Sequence, residues 1–93
     1  MMDAWDFIDI FQIEILIRYN NKKYYASLDN DKYKLKNYES SPFNTLFSGF
    51  GDSAEKAVVD YFRRIKEEDL GIFIDKIVSG KERFYKLPKN LII

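Results

Sequence analysis

The chain contains no cysteine and no histidine. Disulfides, thiolate nucleophiles and Cys/His zinc sites are therefore excluded, and the commonest general base near neutral pH is missing. Hydrolase, deaminase or protease chemistry would have to rest on carboxylates, lysine, tyrosine or a metal held by oxygen ligands. An excess of charge of one sign is also lacking. Fifteen acidic residues balance fifteen basic ones, so no global basic field draws the chain onto nucleic acid. No apolar run approaches the length of a membrane span. The opening "MMDAWDFIDI" is acidic where a secretory leader carries a basic segment. A cytoplasmic protein without a membrane partner is expected. There is no internal repeat, linker or low-complexity stretch.

What is present is material for a core. The 93 residues suit one small domain, 1–93. Eight phenylalanines and seven tyrosines compensate for the small size, because each buried ring removes a large apolar area from water. The same abundance argues against disorder.

Residues 1–10 fit either a short helix or the lead into a strand. From Phe11 the pattern alternates: Phe11, Ile13, Ile15 and Ile17 on one face, Gln12, Glu14 and Arg18 on the other, the period of a half-buried strand. "YNNKK" supplies a turn, since asparagine tolerates positive φ. "KYYASL" and "YKLKNY" read as second and third strands, making residues 11–38 an antiparallel meander. Pro42 breaks the pattern, and Phe43, Leu46, Phe47 and Phe50 predict a connection packed on the core, with a short strand near 45–48. A helix starts at Asp52 or Ser53, with Asp52 and Glu55 at capping-box spacing. Its apolar stripe is Ala54, Ala57, Val58, Tyr61, Phe62 and Ile65, and it ends near Glu68. Residues 70–79 fit a short second helix, although their β-branched content also permits a strand. "RFYKLP" reads as a last strand that Pro88 stops.

The stretch Gly49-Phe50-Gly51-Asp52-Ser53-Ala54 fits the glycine spacing of a dinucleotide-binding turn. That reading needs a buried parallel strand and a βαβ unit, whereas the strands before it read as antiparallel, and Asp52 would repel a phosphate at the helix start. The glycines are better explained as a tight entry into the helix. Lys32, Lys34 and Lys36 line one strand face, with Tyr38 and Tyr25 near in sequence. Such a row contacts nucleic-acid backbone or protects a sheet edge. Lys81, Arg83, Lys86 and Lys89 give the C-terminal segment a local basic excess. Asp3, Asp6 and Asp9 have the spacing of one helix face and could hold a hard cation, as could Glu67, Glu68 and Asp69; a plain acidic surface and a charged helix end explain the two sets better. The aromatic residues exceed what one sheet face and one helix can bury. The surplus points to protein–protein binding or to self-association through an exposed strand, as in a homodimer.

The segment "FSGFGDSAEKAVVDYFRRI" resembles a motif of the HicB-like family of small antitoxin and phage proteins. There a three-strand meander leads through a glycine-rich turn into a helix. Gly49, Gly51, Asp52, Ser53, Glu55 and Ala57 carry the match, within residues 11–66. The resemblance implies a partial ribonuclease-H-like scaffold that binds a protein without catalysis. The family's C-terminal DNA-binding module has no counterpart in the sequence after the helix, so repression of an operon is not implied. Small proteins of this style are typical of phages and mobile elements, and some inhibit host defence enzymes, CRISPR effectors among them.

Together these readings predict one α+β domain. A mainly antiparallel sheet of three or four strands packs on one amphipathic helix, 53–67, in the order β-β-β-α, then the 70–79 element and a final strand. The helix stripe is expected to lie on Ile13, Ile15 and Ile17. The expected function is non-catalytic inhibition of a host defence or toxin enzyme, with no cofactor, metal or catalytic residue. Partner-binding candidates are Lys32, Lys34, Lys36, Tyr38, Lys81, Arg83, Tyr85 and Lys86. The alternative is nucleic-acid binding through the Lys32/Lys34/Lys36 face.

Overall fold

The opening segment is a helix, α1 (Ala4–Phe11), in the computed structural model, which describes residues 2–36, 47–74, 83–88 and 90–92. Asp3 and Asp6 fix its start by bonding each other's backbone N–H, at 3.0 and 2.8 Å, a reciprocal cap that satisfies two otherwise orphaned donors. Gln12 closes the helix in a left-handed conformation. Phe11 therefore ends a helix and does not begin a strand. Strand β1 (Ile15–Asn20) follows and pairs one-to-one with β2 (Lys23–Leu28). Asn21 and Lys22, both at positive φ, form the two-residue turn whose twist suits a hairpin.

The expected meander stops there. The Asp29 carboxylate accepts from the Asp31 N–H at 2.9 Å, and its carbonyl accepts from Lys32 and Tyr33. This turn sends β3 (Tyr33–Lys36) into a second sheet, where it pairs with β5 (Gly71–Ile74). The third strand of the first sheet is β4 (Gly49–Gly51), followed by α2 (Ala54–Glu67). The last strand, β6 (Arg83–Lys86), pairs with β5. The fold is thus α+β, with two helices and two antiparallel sheets, ordered β1-β2-β4 and β3-β5-β6, among the described residues. Residues 71–74 are a strand, not a helix. β-branched Ile72 and Ile74 and the flanking turn at Asp69, which has positive φ, favour it. Tyr38, Phe43, Leu46, Lys81, Lys89 and stretches 45–46 and 75–80 lie outside the described residues.

Helix α2 is capped by Ser53, whose hydroxyl accepts from the Lys56 N–H at 3.2 Å, one residue beyond the Asp52 expected for that role. Ala57, Val58, Tyr61, Phe62 and Ile65 of its stripe are buried as predicted. Their seat differs. The helix lies across β4 and β2, over Gly49, Ala26 and Leu28, all buried. Ile13 is buried, Ile15 only partly, and Ile17 is exposed. The reason is Gly49: a Cβ there would run into the Ala57 carbonyl oxygen and the Tyr61 backbone nitrogen. Without one, the helix settles close against β4 and away from β1. Neither Gly49 nor Gly51 takes a left-handed φ, so close approach, not a turn, is what these glycines provide.

One apolar cluster joins the sheets and helices, with Phe7 of α1, Leu28 of β2, Leu35 of β3, Phe62 and Ile65 of α2, Ile72 of β5 and Leu91 among its members. An aromatic series threads it, from Tyr85 to Phe11 (4.4 Å between centroids), Phe11 to Phe7 (4.8 Å) and Phe7 to Phe62 (6.0 Å). Among the described residues no helix is long and apolar enough to cross a membrane.

Candidate functional site: the Trp5–Phe50 cleft

Period-two alternation along β4 turns Gly49 and Gly51 toward α2 and directs Phe50 away from that contact. Phe50 stays 43% exposed. Trp5, on the outer side of α1, is 44% exposed. The two rings help line an open cleft of about 540 Å³ whose wall includes Lys23, Glu55, Lys56 and Arg63.

Polar contacts hold the Phe50 side of the cleft. The Phe50 N–H donates to Asp60 Oδ2 at 3.0 Å. Arg64 Nε donates to the same oxygen at 2.9 Å, and Arg63 donates to Oδ1. Burial alone would raise the Asp60 carboxyl, but the Phe50 N–H and the two guanidinium groups outweigh it and hold its pKa below the usual carboxylate value. The Arg64 guanidinium lies 4.9 Å from the Phe50 ring centroid and Lys23 Nζ 5.5 Å. Two cations thus sit over a half-exposed ring, contacts that stabilise it while leaving much of its surface open.

The sequence-derived candidates sit elsewhere. Lys32 precedes β3 and bonds Glu14 at 2.6 Å, and that bond raises its pKa. The register of the second sheet aligns Lys34 with Phe73 and Phe84, and Lys36 with Gly71 and Lys86. By register Lys34 and Lys86 therefore fall on one face, with β5 between them. Lys86 also reaches Asp69 Oδ1 at 3.1 Å. Arg83 begins β6, and Tyr85 is half-buried against Phe11. Tyr38 and Lys81 are outside the described residues. Asp3 and Asp6 cap α1, and no group of three or more His, Cys, Asp or Glu is placed to hold a metal among the described residues.

Sequence reasoning did not single out Trp5 and Phe50. The signal for Phe50 was its position between two glycines, since a large residue flanked by two that face a helix must point away from it. No family model, curated protein or solved structure matches the chain.

Proposed function

We propose that the protein is a non-catalytic binding module, encoded by a phage or mobile element and acting in the cytoplasm, that docks on and inhibits a host defence enzyme of CRISPR type or a toxin. The Trp5–Phe50 cleft carries this reading. Protein interfaces concentrate their energy in aromatic and arginine anchors, ringed by polar groups, and the cleft presents two rings among lysines, arginine and carboxylates. The HicB-like resemblance supplies the partner class. The β1–β2 hairpin and the capped helix α2 keep the first and last parts of the pattern that resemblance calls for, whereas its third strand, β3, leaves for the second sheet and its glycine-rich turn is strand β4.

Tagged protein and the double variant Trp5→Ala/Phe50→Ala, each incubated in nuclease-treated host lysate, test the reading. We expect one enzyme to be captured by the parent chain and inhibited by it after purification. Loss of one anchor should weaken that complex about 30-fold or more, the equivalent of about 2 kcal/mol. Capture that the double variant leaves intact would refute the cleft.

A second reading, binding of nucleic acid, draws on Lys34 and Lys86, which the register sets on one sheet face. Phosphate contacts weaken steeply with salt, so complexes that vanish with nuclease and fall off steeply as salt rises would replace the first reading by this one.

A further inference from the structure

The two edges of the first sheet are not alike. On β4 the Phe50 N–H is taken by Asp60, so a helix side chain closes that edge. On β1 no strand pairs along the outer side among the described residues. This strand leaves Leu16 48%, Ile17 42% and Tyr19 64% exposed. Edge strands are ordinarily blunted by lysine, proline or a bulge. β1 reads Ile-Leu-Ile-Arg-Tyr-Asn, without lysine or proline, and its pairing with β2 is unbroken.

The segment Glu14-Ile15-Leu16-Ile17-Arg18 is its own antiparallel complement. We infer that β1 pairs antiparallel with β1 of a second copy of this chain, about a two-fold axis at Leu16. Glu14 of each copy then faces Arg18 of the other, Ile15 faces Ile17, and Leu16 faces Leu16. A two-fold perpendicular to the sheet keeps every residue on its own face, so only registers stepped by whole residues along the axis compete. Moving the axis to Ile17 sets Glu14 against Asn20 and Leu16 against Arg18. Moving it to Ile15 sets Arg18 against Gln12 and Glu14 against Leu16. Only the Leu16 register opposes both charges and joins the apolar residues to one another. Cross-strand pairs of opposite charge and of β-branched residues stabilise a sheet, while like charges directly opposed destabilise it.

The side chains are available for this. Glu14 bonds Lys32 through Oε2 and keeps 60% of its side chain exposed. Arg18 is exposed and has no ion pair among the described residues. The product is an isologous dimer with one continuous sheet, β4-β2-β1 joined to β1-β2-β4. Trp5 and Phe50 take no part in it, so the dimer and the partner cleft stand or fall separately.

Sedimentation equilibrium of the full chain over a dilution series tests the inference, expecting twice the 11.1 kDa protomer mass. Arg18→Glu places two pairs of glutamates in opposition and should raise the dimer dissociation constant at least about tenfold. Adding Glu14→Arg should restore it. The cysteine-free chain allows a check of register. Directly opposed residues have Cα atoms about 4.5–5.5 Å apart, within disulfide reach, so Leu16→Cys should cross-link on mild oxidation. Tyr19→Cys, although more exposed, would place its two thiols about 20 Å apart along the strands and should not. A monomer at every concentration, a dimer indifferent to Arg18→Glu, or Tyr19→Cys linking as readily as Leu16→Cys would overturn the inference.

Discussion

Tyr61 shows what a single residue does when its ring serves the core and its hydroxyl must still find a partner. The ring was legible in the sequence as part of the α2 stripe. The hydroxyl's partner was not, because the Leu28 N–H that donates to it at 3.2 Å lies on another element. Burial pushes the phenol up to about 12, only partly countered by the Leu28 bond. A folded pKa above the unfolded value of about 10 means that the folded state favours the neutral phenol. That contribution is complete below pH 10 and is lost as pH climbs from about 10 toward 12. The melting temperature of the parent chain should fall across this window, and Tyr61→Phe should flatten the fall while costing about 1 kcal/mol at neutral pH through the lost hydrogen bond. Identical alkaline profiles for the two proteins would show that Tyr61 does not carry the effect.

At the scale of the element, the contact between β4 and α2 decides where the helix sits. Gly49→Ala should cost about 2–3 kcal/mol, because its Cβ meets the backbone at Ala57 and Tyr61, which cannot rotate away. Gly51→Ala should cost less, since its Cβ would meet Lys56 Cβ at 2.7 Å and the backbone of Lys56 and Ala57 only at 3.1 Å, against 2.3 Å for the backbone contacts at Gly49. Urea midpoints of the two variants check the order; a neutral Gly49→Ala would mean that α2 is not seated on β4. The contact also explains which elements could be read from the sequence. The β1–β2 hairpin and α2 carry strong periods and a clear turn, so their existence and faces were legible. Periodicity gives a face but no neighbour, and so it could not tell that Ile17 faces past the helix or that β3 leaves for a second sheet. Residues 70–74 satisfied both periods over too short a span to choose between helix and strand. Trp5 and Phe50 meet only through the packing of α1, β4 and α2, which no period in the sequence shows.

Over the whole molecule, the two sheets share no strand, yet they share the core. Leu28 comes from the first sheet and Leu35 and Ile72 from the second, and all belong to the cluster that Phe62 and Ile65 of α2 complete. Neither sheet buries its apolar face without the other elements, so unfolding should be a single cooperative transition. Trp5 is the one tryptophan and stands at the edge of the first sheet, so its fluorescence reports that region while far-UV circular dichroism reports both sheets and helices. In urea the two signals should share a midpoint. Phe62 is fully buried and touches both Phe7 and Tyr61, so Phe62→Ala should remove about 3–5 kcal/mol, a large part of the stability of so small a domain. Because the cluster is continuous, that loss should lower both midpoints equally. If the fluorescence midpoint moved and the dichroism split into two steps, the sheets would be separate folding units joined by α2. The aromatic series from Tyr85 through Phe11 and Phe7 to Phe62 would then be a contact between finished parts. One shared shift would make it the core that allows either sheet to form.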